Sequence, residues 1–364
     1  MTDGPSPGAE LRVDLDALAA NHRLLTTLAG PAEVAPVVKA DAYGLGVGPV
    51  ARRLWREGAR RFFVAQADEA LALRAELGSE RPATIFVLEG ATADNLSALA
   101  KAAAAPVLNS PAQIALWRSH GPSTAPAALH LDTGMNRLGL RARELTELSD
   151  GDLSGLKLEL VLSHLACADI PGHPMSGEQL TRFRAMSARF PGVPRSLSAS
   201  SGIFLGPDYQ FELVRPGISL YGGGPFAVPE PRLAAVAALT APILQIADAA
   251  PGTTVGYGAT YSVDRPLRLG VVGLGYADGV LRSASKHGYG WLHGARRSLL
   301  GRISMDLSVI DITDAAEAKV GDRVQVFGPD LALDEAAEAW DTTAYELLTR
   351  VGPRVLRRHV GSVS

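Results

Sequence analysis

Val34-Ala35-Pro36-Val37-Val38-Lys39-Ala40-Asp41-Ala42-Tyr43-Gly44-Leu45-Gly46 begins as a nearly continuous apolar run, ends that run on an amine and continues into a loop of small residues. An unbroken apolar run is the pattern of a strand in a parallel sheet covered on both faces, because neither side of its pleat meets water. In a parallel barrel the residues at the C-terminal strand ends line the active site. A lysine in that place is desolvated, which disfavours the ammonium form, and the neutral amine condenses with an aldehyde. Composition alone makes any lysine a solvated surface charge. The residues flanking Lys39 reverse that reading.

Similar runs follow at 61–65, 84–88, 105–108, 128–131, 158–163, 195–198 and 211–214, which with 34–38 makes eight. Helical patterns such as 70–77 and 179–190 separate them and are long enough for crossover helices. The rhythm predicts an α/β fold with an N-terminal (β/α)8 TIM-type barrel. Ahead of it, Leu11-Arg12-Val13 alternates, Asp14 or Asp16 caps a helix carrying Leu15, Leu18, Leu25 and Leu28, and Gly30 ends that helix. Gly222-Gly223-Gly224-Pro225, followed by Pro229 and Pro231, breaks the rhythm. Beyond it the runs 239–246, 267–273, 297–300, 307–312 and 323–327 are short and rich in β-branched residues, and only 334–348 reads as helix. The expected organisation is a flexible tail over 1–10, a barrel over 11–228 and a mainly β domain over 229–364.

A chain of 364 residues exceeds one ordinary core and so suits two domains. Its net charge of -3 offers no electrostatic footprint for phosphate backbones or anionic membranes, leaving small metabolites as the natural partners. A single cysteine, Cys167, cannot form an internal disulfide, and it reads as a small buried hydrophobe. The polar N-terminus lacks a signal-peptide core and no apolar run approaches bilayer length, so the expected location is the cytoplasm.

Gly46-Val47-Gly48-Pro49-Val50-Ala51, with Asp68 downstream, matches a dinucleotide-binding fingerprint in letters only. Such a loop turns directly from strand to helix, whereas a whole loop separates Val38 from Gly46 and Pro49 interrupts the fingerprint. Phosphate binding reads better elsewhere. Barrels often hold phosphate between the loops after strands seven and eight, where Ser198-Ala199-Ser200-Ser201-Gly202 and Arg215-Pro216-Gly217-Ile218 lie. His164 ends the sixth run, and Arg137 and Arg215 lie just past strand ends. The eight histidines show no metal-ligand spacing, so no metal is expected.

Six ordered motifs then resemble the bacterial alanine racemases, pyridoxal-phosphate (PLP) enzymes built of a barrel and a C-terminal β domain. They are Val38 to Gly46, Asp132-Thr133-Gly134-Met135-Asn136-Arg137-Leu138-Gly139, Val214-Arg215-Pro216-Gly217-Ile218, Gly256-Tyr257-Gly258-Ala259-Thr260-Tyr261, Gly275-Tyr276-Ala277-Asp278-Gly279 and Gly301-Arg302-Ile303-Ser304-Met305-Asp306. The resemblance covers nearly the whole chain. It implies Lys39 as the Schiff-base lysine and Tyr257 as a second base, contributed by the neighbouring subunit of a homodimer with shared active sites. Tyr43, Ser200, Gly217, Ile218 and Tyr345 match phosphate-binding positions, and Arg215 matches the residue facing the pyridine nitrogen. His164 matches the histidine between the tyrosine base and that arginine, while Arg137 and the Met305 backbone match the carboxylate-holding positions. The implied reaction interconverts L-alanine and D-alanine and supplies D-alanine for peptidoglycan. Two departures stand out. His130 replaces a lysine that many relatives carbamylate, so Arg137 must be oriented by another group such as a bound anion. Ala199-Ser200 replaces a common Asn-Ser, which removes one polar contact near the cofactor.

Three other functions fit less well. A non-catalytic PLP carrier would lack the second domain and give Tyr257 no task. A decarboxylase of basic amino acids usually enlists a C-terminal cysteine, and this chain has none there. Exported broad-specificity racemases carry a signal peptide.

Overall fold

After β1 (Glu10–Asp14), the eight apolar runs become parallel strands: β2 (Glu33–Val34), β3 (Arg61–Val64), β4 (Thr84–Val87), β5 (Ala105–Leu108), β6 (Pro126–His130), β7 (Lys157–Leu162), β8 (Arg195–Ser196) and β9 (Leu213–Val214). This is a computed structural model, and it describes residues 8–78, 80–122 and 125–362. Strands β3 to β8 pair in chain order, β2 pairs with β9, and parallel bridges Val37–Phe63 and Ala199–Arg215 join the two sets into a closed ring. Side chains explain the register: Phe63 lies opposite Phe86 and their rings stack at 4.8 Å, both fully buried. Removing such a ring from water stabilises the sheet by roughly 1.5–3 kcal/mol. The connecting helices start where the sequence can satisfy their first N–H groups. Ser110 accepts from the Gln113 N–H and Pro111 opens the helix Pro111–His120, which buries Ile114 and Trp117.

The described residues cluster into two units, Ala19–Leu220 and a second made of 8–18 with Tyr221–Ser362. The second holds β10 (Ala237–Ala249), β11 (Thr254–Val255), β12 (Tyr261–Ser262), β13 (Leu267–Val272), β14 (Tyr289–Leu292), β15 (Ala295–Ser298), β16 (Ser308–Asp311), β17 (Arg323–Phe327) and β18 (Leu356–Val360). Its main sheet runs β15-β14-β17-β10-β1-β18, with β13 and β16 attached through β10. This differs from the expected division at residue 11. Leu11 and Val13, both fully buried, sit in a strand antiparallel to β10 and parallel to β18, so the alternating stretch belongs to the β unit. Of the expected tail, 1–7 lie outside the described residues, and Glu10 already pairs with Thr240. Asp14 caps the following helix, its Oδ1 accepting from the N–H groups of Asp16 and Ala17 at 3.0 Å, and Gly30 ends it at φ 58°.

The single helix expected over 334–348 is two, Leu333–Ala339 and Ala344–Thr349. Asp341 between them adopts φ 58°, which no right-handed helix passes through, and Trp340, which caps the first helix, is buried.

Candidate active site

Lys39 sits at a strained corner. The chain leaves β2 along both ring neighbours, Ala35 and Val37 donating to the Val214 and Pro216 carbonyls and Val38 donating to the Phe63 carbonyl, all at 2.9 Å. Then Ala40, Asp41, Ala42 and Tyr43 take φ of 53–58° and ψ of 35–51°, a left-handed turn built without glycine. Each such residue costs roughly 1–2 kcal/mol, so the turn persists only because its surroundings hold it. Glu69 accepts from the Ala40 N–H at 2.6 Å, Val38 accepts from Ala42, and the Asp41 carboxylate accepts from Val47 at 2.7 Å. Burial, and after it the Arg137 guanidinium, pull the Lys39 pKa down against the opposing pull of Glu69. The amine is biased toward its nucleophilic neutral form.

The turn delivers Tyr43 to the loop after β9. Its hydroxyl lies where a Cβ on Gly217 would be 2.2 Å away, so only glycine admits the approach. Ser200 Oγ accepts from the N–H groups of Gly217 at 3.0 Å and Ser219 at 3.2 Å, binding the first turn of Ser200–Leu205 to the same loop. Ile218, buried, follows Gly217 in that loop. Tyr43, Ser200, Gly217 and Ile218 thus converge, next to the Pro216 carbonyl that anchors Val37.

Arg215 is buried, and its guanidinium donates to the Ser196 carbonyl at 3.0 Å, the Ser196 hydroxyl and the Ser163 carbonyl at 2.6 Å. Burial lowers its pKa to about 9, which leaves it charged at neutral pH. Its Nη2 lies 3.5 Å from His164 Nδ1. Burial first, then Arg215 and Arg137, push the His164 pKa well down, so the ring is neutral. Because the arginine donates, Nδ1 accepts and Nε2 carries the hydrogen.

His130 ends β6 and is neutral too, its pKa lowered to about 4 by burial and the charges of Arg215 and Arg137. Its Nδ1 lies 2.8 Å from Asn109 Oδ1. Asn109 Nδ2 donates to the Leu88 and Val107 carbonyls, so Oδ1 is the acceptor and His130 must donate from Nδ1, leaving a lone pair on Nε2. The Arg137 loop is shaped by Asp132 Oδ1, which accepts from Gly134, Met135 and Asn136. Arg137 itself is exposed.

In the β unit, Tyr257 is 70% exposed and stands on a 3-10 turn after Gly256. A Cβ on Gly258 would lie 2.8 Å from Arg302 Nη1, and one on Gly301 2.5 Å from the Val255 carbonyl, so the Tyr257 segment packs on the segment that leads to Met305. Met305 and Tyr345 are also exposed. Each unit therefore carries a group of the expected residues: Lys39, Tyr43, Arg137, His164, Ser200, Arg215, Gly217 and Ile218 on the barrel, Tyr257, Met305 and Tyr345 on the β unit.

Several supporting residues escaped the sequence reading. Gln179 Nε2 donates to Thr133 Oγ1 and the His164 carbonyl while its Oε1 accepts from Ala166, tying the loops of Arg137 and His164 together. Glu69, Asn109 and Ser196 act similarly on Lys39's turn, His130 and Arg215. Sequence offered no signal for these residues; Gln179 stands out only once it is known to be a fully buried glutamine on a helix.

Known proteins resemble this chain over nearly its whole length. The alanine racemase N-terminal domain family model matches residues 13–225, and the C-terminal domain model matches 236–359. The chain is 44% identical over 357 residues to a catabolic alanine racemase of Agrobacterium fabrum, covering 96% of this chain and 92% of that protein. It is 42% identical over 367 residues to the biosynthetic alanine racemase of the same organism, covering 96% and 93%. The crystal structure of alanine racemase from Bartonella henselae with covalently bound pyridoxal phosphate superposes with a TM-score of 0.92 at 36% identity, covering 98% of this chain and 100% of that one.

Proposed function

Because the chain belongs to the alanine racemase family, as an enzyme whose cofactor is PLP, we propose that it interconverts L-alanine and D-alanine by a two-base mechanism, with Lys39 and Tyr257 on opposite faces. The observation that carries this is the barrel-side constellation: an amine of lowered pKa, a Tyr43–Ser200–Gly217 cradle and a buried arginine, all around the strand ends at Lys39. These fit PLP. The Tyr43 hydroxyl reaches the cradle only because Gly217 lacks a side chain, and the amine is suited to an aldehyde.

Bound PLP supplies the electron sink that stabilises the carbanion left when alanine loses its α-proton. In this reading Tyr43, Ser200, Gly217, Ile218 and Tyr345 hold the phosphate. Lys39 Nζ takes or returns the α-proton on one face, and the Tyr257 hydroxyl of a second subunit does so on the other. His164, with its hydrogen on Nε2, donates toward the tyrosine oxygen and so favours its proton-accepting form. Arg215, charged and bonded to Ser163 and Ser196, gives no proton readily, which keeps the pyridine nitrogen unprotonated and the sink moderate. Arg137 and the Met305 N–H bind the substrate carboxylate. Chiral chromatography of a panel of L-amino acids incubated with the holoenzyme tests the activity; recovery of L-alanine without any D-alanine would sink it.

Replacing Gly217 with alanine is expected to weaken PLP binding at least tenfold, since the new methyl meets the buried Tyr43 hydroxyl, and overpacking of this kind costs typically about 1–3 kcal/mol. Titration of the stripped enzyme with PLP, followed by absorbance, measures it. Unchanged affinity would remove Gly217 from the cradle. At His130, the neutral imidazole fixed by Asn109 stands where a carbamate would need a lysine amine. Activity should therefore be indifferent to bicarbonate, and intact-mass analysis should show no added carbon dioxide; activation on returning bicarbonate after its removal would contradict this.

The reading puts the enzyme in the cytoplasm as a homodimer and has its D-alanine feed peptidoglycan synthesis. No helix among the described residues is long and apolar enough to cross a membrane. The named relatives include both a biosynthetic and a catabolic enzyme. A D-alanine requirement on deletion of the gene supports the biosynthetic role, and growth without it points to alanine breakdown.

A further inference from the structure

Ser304 to Leu307 form a tight turn, the Ser304 N–H donating to the Leu307 carbonyl at 2.9 Å, with Met305 and Asp306 at its tip. The turn is seated on the 275–277 segment, whose Tyr276 and Ala277 donate to the carbonyls of Ser304 and Met305. Gly275 makes the seat possible, since a Cβ there would come within 2.5 Å of the Met305 carbonyl oxygen and the Asp306 nitrogen. Among the described residues, the N–H groups of Met305 and Asp306 have no acceptor. Two adjacent free N–H groups on a rigid turn make an anion-binding concavity.

One side chain holds that turn from outside it. Arg354 binds Asp278 bidentately, Nε to Oδ1 at 2.6 Å and Nη2 to Oδ2 at 3.0 Å, while Nη1 reaches Asp306 Oδ1 at 2.8 Å and Nη2 lies 3.5 Å from the Met305 carbonyl. Asp278 is buried and also accepts from the Gly275 N–H at 2.8 Å, so the far end of the clamp is fixed to the seat itself. A planar guanidinium with all three nitrogens engaged sets an orientation that an ammonium cannot reproduce.

We propose that Arg354 is a positioning residue for substrate binding: by joining Asp278 to Asp306 it fixes the direction in which the Met305 N–H meets the carboxylate of alanine. This rests on the reading that the Met305 turn binds that carboxylate. Arg354 touches neither substrate nor cofactor and acts only through the turn.

The test measures, on the holoenzyme, kcat and KM for alanine and competitive inhibition by propionate, a carboxylate without an amine. Arg354→Met is expected to raise KM and the propionate inhibition constant about tenfold with kcat changed less than about threefold, the pattern of lost ground-state binding. Asp306→Asn, which leaves the Asp278 pair intact and guards against misfolding of the first variant, should raise both about threefold by the same logic, and Arg354→Lys should recover part of the loss. A merely structural arginine would lower Tm and kcat without that split. Wild-type KM and inhibition constants in Asp306→Asn together with a foldable Arg354→Met, or in Asp306→Asn alone should that variant not fold, would overturn the proposal. Met305→Pro, which deletes the N–H, separates the two layers. If it alone weakens propionate, the clamp is wrong and the carboxylate site stands; if it changes nothing, the carboxylate reading itself fails.

Discussion

Lys39→Ala is expected to purify without the visible absorbance of covalently attached PLP and to lose racemisation by at least about a thousandfold, since both a nucleophile and a general base disappear with one amine. The corner that presents this amine is held by bonds to its neighbours: Glu69 and Val38 grip the backbone of the left-handed turn, and Asp41 closes it. None of these involves Nζ, so the variant should fold and keep the Tyr43–Ser200–Gly217 cradle. It should accordingly still bind PLP, weakly and reversibly, through the phosphate. Borohydride treatment followed by mass spectrometry distinguishes the cases. A variant that retained one reducible PLP linkage per chain would show that another lysine reaches the aldehyde and would end the assignment.

The strands that frame this corner were legible because a sheet covered on both faces demands apolar residues without interruption, and the runs at 61–65 and 84–88 announce it. The left-handed turn was not legible. Ala40, Asp41, Ala42 and Tyr43 carry no glycine signal, and their conformation is imposed by partners such as Glu69 that lie far along the chain. The same reason hid β1. Its alternation was visible, but whether Leu11 and Val13 bury against the barrel or the β sheet depends on pairing with Leu239 and Ala237, which local sequence does not encode.

Functional side chains divided in the same way. Lys39, Tyr257 and Arg215 stood out through motifs, whereas Asn109 and Gln179 matter only through geometry. Asn109 fixes which nitrogen of His130 is protonated, and Gln179 couples the Arg137 loop to His164. The resemblance left open what accompanies Arg137 without a carbamate. At the position in question the chain carries His130, a neutral histidine whose Nε2 holds a lone pair, a group that can accept a hydrogen bond but carries no charge.

Mixing two inactive variants is expected to restore activity. If Lys39 and Tyr257 serve one chemical site from different subunits, the active form has at least two-fold symmetry with two composite sites. The barrel unit carries the lysine and the β unit carries a tyrosine that is 70% exposed, available to a second copy. In a heterodimer of Lys39→Ala and Tyr257→Ala subunits, one site lacks both bases and the other has both. Racemisation should then recover to about half the wild-type value per heterodimer by that symmetry count. Were the two bases to meet within one chain, every site in the mixture would lack one base, and exchange would recover nothing. Tagged subunits purified through both tags establish that heterodimers formed. Such heterodimers without activity would exclude the shared site while leaving Lys39 as the cofactor lysine, because the absorbance of the Tyr257→Ala subunit reports that linkage independently.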